Sequence, residues 1–151
     1  MRFAFILAAL LSGAVQAQTI GVHLFSEHSE DTFERRYKDT GRVEQVAYNE
    51  RNFGAYYISR DGWIVGVYDN SYYRTTVYAG YMLDGPRFGP VGTHLAAALG
   101  TGYEWCPGTG KLRPMLMPSL TVATPLGVSL RYSVAPAKGG VFQHLSIERK
   151  F

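Results

Sequence analysis

From residue 19 onward the chain repeats one pattern that limits its fold more than any other feature. Segments of about ten residues alternate between apolar and polar side chains and are separated by turn residues. Such a period of two places alternate side chains on opposite faces of a β-strand. The approximate segments are 19–27, 47–60, 63–70, 74–83, 91–104, 114–124, 128–134 and 141–151. The pattern predicts an all-β fold, an eight-stranded antiparallel up-and-down β-barrel of the outer-membrane type.

Turn residues connect these segments and predict antiparallel pairing of consecutive strands. Asp61-Gly62 is a two-residue hairpin signal. Further turns are predicted at 84–90 (DGPRFGP), 124–127 (TPLG) and 135–140 (APAKGG). The polar stretch 28–46 is expected to be a long solvated loop, on the side of the membrane away from the N-terminus.

The first residues have the order of a secretory signal peptide. Arg2 precedes an apolar run from Phe3 to Leu11, and small residues end before Gln18. We therefore expect residues 1–17 to be cleaved and residues 18–151 to form a single transmembrane β-barrel domain in the cell outer membrane. Cys106 is the only cysteine, so no intramolecular disulfide is possible.

Composition excludes several classes of protein. The aromatic content of 14% and charged content of 18% argue against a disordered chain. The net charge of +3 is spread along an exported chain, which disfavours a nucleic-acid partner. The four histidines show no metal-binding spacing, so we expect no metal and no cofactor, and a barrel that acts as a monomer.

Alternation assigns side chains to the two faces of the barrel wall. In the fourth segment the outward set is Val77, Ala79, Tyr81 and Leu83. In the seventh segment the inward set is Ser129, Arg131 and Ser133, polar groups that would be costly in lipid. We expect Arg131 to form an ionic plug with Glu148 and Lys150 in the periplasmic half of the interior.

The fifth segment has an inward face of very small residues. They are Ala96, Ala98, Gly100 and Gly102. An eight-stranded barrel is just wide enough for side chains to fill its interior. This bare wall therefore indicates either a cavity or large side chains projecting from the opposite wall.

Three kinds of polar side chain are expected at the outer rim. His23 and His28 lie near the end of the first segment, and Asn70 and Ser71 follow the third. A serine hydroxyl becomes a useful nucleophile when a histidine takes its proton and a third group orients that histidine. The alternative is ordinary turn chemistry, for which Asn and Ser are also suited.

Three longer fragments carry a family resemblance. They are YNERNFG at 48–54 leading to ISR at 58–60, YDNSYYRTTVYAGY at 68–81, and PMLMP at 114–118. In these fragments the chain resembles the outer-membrane lipid A palmitoyltransferases of the PagP family, over nearly all of the mature chain. The resemblance implies a barrel interior that holds the acyl chain of a phospholipid donor and an outer rim that transfers this chain to lipid A.

The resemblance also implies roles for individual residues. The family's catalytic histidine falls on His23 and its serine on Ser71, whereas the position of its aspartate is occupied by Asn70, with Asp69 one residue earlier. An amide can orient an imidazole but cannot balance its positive charge. The stretch between His23 and the first fragment is longer than in the family, which leaves His28 as an alternative.

The resemblance places Met82 at the floor of an acyl pocket walled by the small residues of the fifth segment. A methionine there predicts a donor chain shorter than palmitate. Asn70 favours a second hypothesis, a catalytically impaired or non-enzymatic outer-membrane lipid-binding barrel. A soluble lipocalin-like periplasmic barrel is a third, which the apolar outward faces disfavour.

Overall fold

A computed structural model describes residues 19–37, 39–103, 112–137 and 140–151. The expected signal peptide and Cys106 lie outside the described residues. Every regular element in the described part of the chain is a β-strand, and no helix there is long and apolar enough to cross a bilayer. The strands are β1 Thr19–His28, β2 Thr32–Arg36, β3 Val43–Ala47, β4 Gly54–Ile58, β5 Trp63–Asp69, β6 Thr75–Phe88, β7 Val91–Gly100, β8 Arg113–Ala123, β9 Val128–Ala137 and β10 Gly140–Lys150.

Eight of the described strands form one closed barrel, in the order β1, β10, β9, β8, β7, β6, β5, β4. β1 closes it, because Thr19 lies opposite Lys150 of β10 on one side and Ile58 of β4 on the other. All neighbouring pairs are antiparallel, and a closed barrel has no free strand edge. The predicted all-β fold, an eight-stranded antiparallel β-barrel, is confirmed.

The two ends of the barrel differ, and each is named here by its connections. The turn end carries residues 59–62, 89–90 and 124–127 together with Thr19 and Phe151. The loop end carries residues 70–74 and the separate hairpin of β2 and β3.

The strand faces follow the predicted alternation. On β6, Tyr78 and Met82 are buried inside the barrel, whereas Val77 and Leu83 are exposed on its outer surface. The exposed large apolar side chains of the outer wall include Phe25, Trp63, Val65, Val77, Tyr81, Leu83, Leu99, Leu116, Leu120, Val122, Leu130, Tyr132 and Val141. So large an apolar belt is unusual on a water-soluble surface and fits an outer-membrane barrel.

Aromatic side chains mark the turn end of this belt. The ring of Trp63 meets the ring of Tyr81 edge to face at a centroid distance of 5.6 Å. Phe88 and Phe151 are also exposed near this end. Amphipathic aromatic rings gather where hydrocarbon meets headgroups, so their position is consistent with one border of a bilayer.

Large rings fit inside the barrel because glycines face them. A Cβ atom on Gly21 would lie 2.0 Å from the Cζ atom of Tyr56, and one on Gly66 would lie 2.6 Å from the ring of Tyr78. Neither glycine could be replaced without moving a tyrosine. The two tyrosines join a buried cluster with Ile58, Ile64, Tyr68 and Met82, against which Ala96 and Ala98 pack.

The predicted ionic plug is present near the turn end. Arg131 Nε donates to Glu148 Oε2 at 2.8 Å, and Nη2 donates to Oε1 at 3.1 Å. Glu148 Oε2 also accepts from the Tyr56 hydroxyl at 2.7 Å, and Arg131 Nη1 donates to Ser119 Oγ at 2.7 Å. Lys150, which was expected in the plug, is instead exposed at the end of β10.

The predicted second segment, 47–60, is too long, because β4 begins only at Gly54. The stretch predicted as a loop contains the hairpin β2–β3, in which Thr32 lies opposite Ala47 and Arg36 opposite Val43. This hairpin is held to the barrel by packing, since the Phe33 ring lies 4.8 Å from the ring of Tyr72. Its strands are short and mostly polar, so their pattern resembled a loop.

Three turns also differ from the sequence prediction. The turn predicted at 135–140 is shorter, because β9 continues to Ala137 and β10 begins at Gly140. Residues 84–90 are not one turn, because β6 continues to Phe88 and only Gly89 and Pro90 connect it to β7. At 59–62, the backbone N–H of Ser59 donates to Trp63 O at 2.8 Å, which makes a three-residue loop. Gly62 closes this loop at a φ of +89°, a conformation suited to glycine.

The plug should behave as a buried ion pair, since both side chains are at most 10% exposed. Arg131→Met leaves the Glu148 charge unpaired and should lower the free energy of unfolding by about 3–5 kcal/mol. The double variant Arg131→Met/Glu148→Gln has no charge at either position, so its free energy of unfolding should fall much less. Urea unfolding in lipid vesicles measures both. A double variant as unstable as the single one would contradict this role of the pair.

Candidate functional site

A β-bulge in β1 decides which histidines face the interior. The pairing of β1 with β10 shifts between His23 and Phe25, so Leu24 is the extra residue. In a regular strand, His23 and His28 would face opposite sides, because they are five residues apart. The shift turns both rings toward the interior, with Ser26 between them.

His23 lies in a buried hydrogen-bonded group halfway along the barrel. Its Nδ1 atom is 2.8 Å from Nε2 of His144, and its Nε2 atom is 3.0 Å from the hydroxyl of Tyr78. Both nitrogens of His23 are therefore occupied. His144 Nδ1 is buried and has no hydrogen-bond partner among the described residues.

Ser71 lies higher, at the loop end. Its Oγ atom is 3.2 Å from Oγ of Ser26 and accepts from Asn52 Nδ2 at 3.4 Å. Asn52 is fully buried, and its Nδ2 also donates to the backbone oxygen of Asp69 at 2.8 Å. Sequence reasoning did not single out Ser26 or Asn52, although Asn52 belongs to the fragment YNERNFG.

Asn70 holds the turn that carries Ser71. Its Oδ1 accepts from the backbone N–H groups of Tyr72 at 3.0 Å and Arg74 at 3.1 Å. Its Nδ2 donates to Thr76 Oγ1 at 3.0 Å and to Gly102 O at 3.1 Å. Asn70 thus stabilises the turn through four side-chain hydrogen bonds, and none of these four bonds is made to a histidine.

Asp69, the acidic residue next to Asn70, also makes a local hydrogen bond, because its Oδ1 accepts from Thr75 Oγ1 at 3.3 Å. His23 precedes Ser26 by three strand residues, about 10 Å along β1 at the usual rise. The structure therefore does not bring His23, Asn70 and Ser71 together as a hydrogen-bonded set. The serine and the histidine that share a space are Ser71 and His28.

That space is a cavity of about 260 Å³ at the loop end. Its lining includes His28, Tyr68, Ser71, Tyr103, Arg113 and Phe142. The ring of His28 stacks on Tyr48 at 3.9 Å, and its Nδ1 atom is buried without a hydrogen-bond partner in the described chain. The cavity thus combines apolar walls with a few polar atoms, as ligand sites commonly do.

A second cavity of about 60 Å³ lies in the middle of the barrel. Met82, Ala96 and Ala98 line it, together with His23, His144 and Arg131. A water molecule needs about 10–15 Å³ of such space, so this cavity has room for a few waters but not for a long acyl chain. Tyr68, Met115, Met117 and Phe142 line both cavities and form the partition between them.

The two glycines of the predicted acyl pocket lie toward the loop end. A Cβ atom on Gly100 would lie 2.7 Å from Sδ of Met115, a residue of the partition. Gly102 has a φ of +84° and accepts a hydrogen bond from Asn70, so it lies against the turn at 70–74. The small-residue face of β7 therefore has three environments: Ala96 and Ala98 at the inner cavity, Gly100 at the partition and Gly102 at the rim.

Comparisons with known proteins give this chain no family. No protein-family model matches the sequence, and a search of curated proteins finds no match. Within the described residues, no group of three or more His, Cys, Asp or Glu side chains is placed to hold a metal ion. The two cavities and the polar groups around them are therefore the features of the described chain that bear on its function.

Asn70 offers a direct test of its structural role. Asn70→Asp replaces the amide that donates to Thr76 and Gly102 with a group that cannot donate when ionised. The free energy of unfolding should fall by about 1–3 kcal/mol, because buried acceptors lose their donor. Asp69→Asn is the matched control and should change it by less than about 0.5 kcal/mol. Urea unfolding that shows Asn70→Asp to be as stable as the parent chain would contradict this role.

Proposed function

We propose that the chain is an outer-membrane barrel whose loop-end cavity binds the acyl chain of a membrane lipid. The cavity of about 260 Å³ carries this proposal. Tyr68, Met115 and Phe142 give it walls that suit a hydrocarbon chain, whereas Ser71 and Arg113 give it polar and cationic groups. An acyl chain joined to an anionic or ester head would match both parts.

The outer surface supports the same proposal. The exposed apolar belt is suited to contact with hydrocarbon, so lipid acyl chains would surround the barrel wall. A lipid would then reach the cavity from the membrane and would not need to cross water. Localisation in the outer membrane, export by a cleaved signal peptide and the lipid ligand all belong to the proposal.

Acyl transfer from a phospholipid to lipid A, as in the PagP family that the chain resembles, is the second candidate function. The shared cavity of His28 and Ser71 and the unpartnered Nδ1 of His28 favour it. His28 would take the proton of Ser71 Oγ as this oxygen attacks the donor ester, and would return it to the glycerol oxygen that leaves. The acyl group would then pass to a lipid A hydroxyl, with Ser71 regaining its proton.

We prefer lipid binding to acyl transfer because the hydrogen bonds at the loop end do not form a catalytic set. Ser71 Oγ contacts Ser26 and Asn52, and the side-chain oxygen of Asn70 is occupied by two backbone N–H groups. Transfer would need Ser71 to turn toward His28. Binding needs only the cavity as it stands.

Filling the cavity should abolish lipid binding. Ala135 lines it, and Ala135→Trp places a large ring in the space that the acyl chain would occupy. Ala97→Trp is the matched control, because Ala97 faces outward on β7. We expect native mass spectrometry of protein released from micelles to show bound phospholipid for the parent chain and Ala97→Trp, and at least about a tenfold loss for Ala135→Trp. Equal binding by both variants would remove the cavity as the binding site.

Mass spectrometry of lipid A tests the second candidate separately. If transfer occurs, cells that express the parent chain should contain lipid A with one added acyl mass, and Ser71→Ala and His28→Gln should each abolish it. Phe142→Leu, which changes an apolar wall residue, is the control for a general effect on the cavity. Unmodified lipid A from cells with correctly inserted parent protein would exclude transfer and leave lipid binding in place.

A further inference from the structure

A second polar group lies at the turn end of the barrel, away from the loop-end cavity. His94 Nδ1 is 2.8 Å from Oδ1 of Asp84, and His94 Nε2 is 2.9 Å from Oγ1 of Thr121. A carboxylate, an imidazole and a hydroxyl are thus connected in series. This is the order of groups that activates a hydroxyl for attack on a carbonyl.

Strand register brings these side chains together. Asp84 lies directly opposite His94 in the pairing of β6 with β7, and the register shifts just after Asp84. Thr121 lies opposite Gly92 in the pairing of β7 with β8, two residues from the partner of His94. All three side chains follow the inward alternation of their strands, so they meet at the mouth of the interior.

The two hydrogen bonds fix the proton of a neutral His94 ring. A carboxylate can only accept, so the proton must be on Nδ1, which donates to Asp84. Nε2 then has a free electron pair and accepts from the Thr121 hydroxyl. This is the tautomer that a general base needs to remove the proton from a hydroxyl.

The surroundings of this hydrogen-bonded pair are unusual in two respects. A Cβ atom on Gly92 would lie 2.8 Å from Thr121 Oγ1 and 3.0 Å from His94 Nε2, so a glycine at this position lets the hydroxyl and the imidazole lie close to the backbone of β7. Arg131 lies directly opposite Thr121 in the pairing of β8 with β9. Its guanidinium, which donates to Glu148 and Ser119, adds a positive charge to this end of the interior, where it would favour a developing negative charge.

We propose that Asp84, His94 and Thr121 form a catalytic triad that hydrolyses short-chain carboxylic esters at the turn end. The side chain of Asp84 is 83% exposed and that of His94 16%, whereas Thr121 is only 6% exposed. The group is therefore reached from water on the Asp84 side. Because Thr121 is nearly buried, we expect only esters with slender acyl groups, such as acetyl or butyryl, to reach its hydroxyl.

The reaction balances with water as the second reactant. Thr121 Oγ1 attacks the ester carbonyl while His94 Nε2 takes its proton, and the tetrahedral centre then expels the alcohol oxygen, which receives that proton. Water attacks the resulting Thr121 ester with the same histidine as base. The carboxylic acid leaves and the Thr121 hydroxyl is restored. Asp84 stabilises the imidazolium in both steps, and the site does not depend on the loop-end cavity.

The test measures hydrolysis of p-nitrophenyl acetate and butyrate by the full chain folded in detergent. We expect Asp84→Asn, His94→Gln and Thr121→Val each to lower kcat/KM by a factor of about 100 or more, and Thr121→Ser to retain activity. Thr93→Val is the control, because the Thr93 hydroxyl donates to Pro86 O and contacts no histidine. A fluorophosphonate probe should label Thr121 in the parent chain but not in His94→Gln.

The fold of each variant is checked by its heat-dependent gel mobility and its β-sheet circular dichroism. Because Asp84 is largely exposed, Asp84→Asn should fold normally even if Thr121→Val does not. The proposal is overturned if folded Asp84→Asn hydrolyses both esters at the parental rate, or if the probe attaches elsewhere. The proposal is also overturned if the parent chain hydrolyses the two esters no faster than free imidazole does.

Discussion

Closure of the sheet through β1 is the constraint on which the other features of the molecule depend. Because β1 pairs with both β10 and β4, each barrel strand has two neighbours and its side chains face either outward or inward. The outer face can then be apolar without losing backbone hydrogen bonds. The inner face can keep charges such as Arg131 and Glu148 away from hydrocarbon, where each has its partner.

The interior of the closed barrel contains groups of side chains with different chemistry at its two ends. The ionic plug and the Asp84, His94 and Thr121 group lie near the turn end, and Ser71 and His28 lie at the loop end. Between them, Tyr68 and Phe142 border both cavities, so their side chains lie where the loop-end cavity adjoins the middle of the barrel. A lipid chain at the loop end and a small ester at the turn end would therefore meet separate groups.

Local pattern predicted the wall of the barrel well. The faces of β6 and the approach of Arg131 to Glu148 follow from alternation and strand order alone. The hairpin β2–β3 was missed because its strands carry charged residues on both sides, and Phe33 is the one residue of these two strands that is buried. The number of barrel strands was unaffected, since this hairpin forms a sheet of its own.

The partners of the candidate site residues could not be predicted in the same way. His23 meets His144, which is 121 residues away in the chain, and a single bulge at Leu24 decides the face of His28. Neither feature produces a pattern that can be recognised within a short stretch of the sequence. Asn70 is the opposite case, because Asn followed by Ser is ordinary turn chemistry, and its four hydrogen bonds form that turn.

The most direct test of the central claim, that the apolar face meets lipid and the opposite face an interior, compares two adjacent positions of β7. Leu99→Trp and Ala98→Trp are made singly in a chain whose Trp63 and Trp105 are replaced by Phe, and fluorescence is measured in vesicles of lipids brominated in their acyl chains. Strong quenching for Leu99→Trp with little for Ala98→Trp is the predicted result, and equal quenching at both positions would contradict the account.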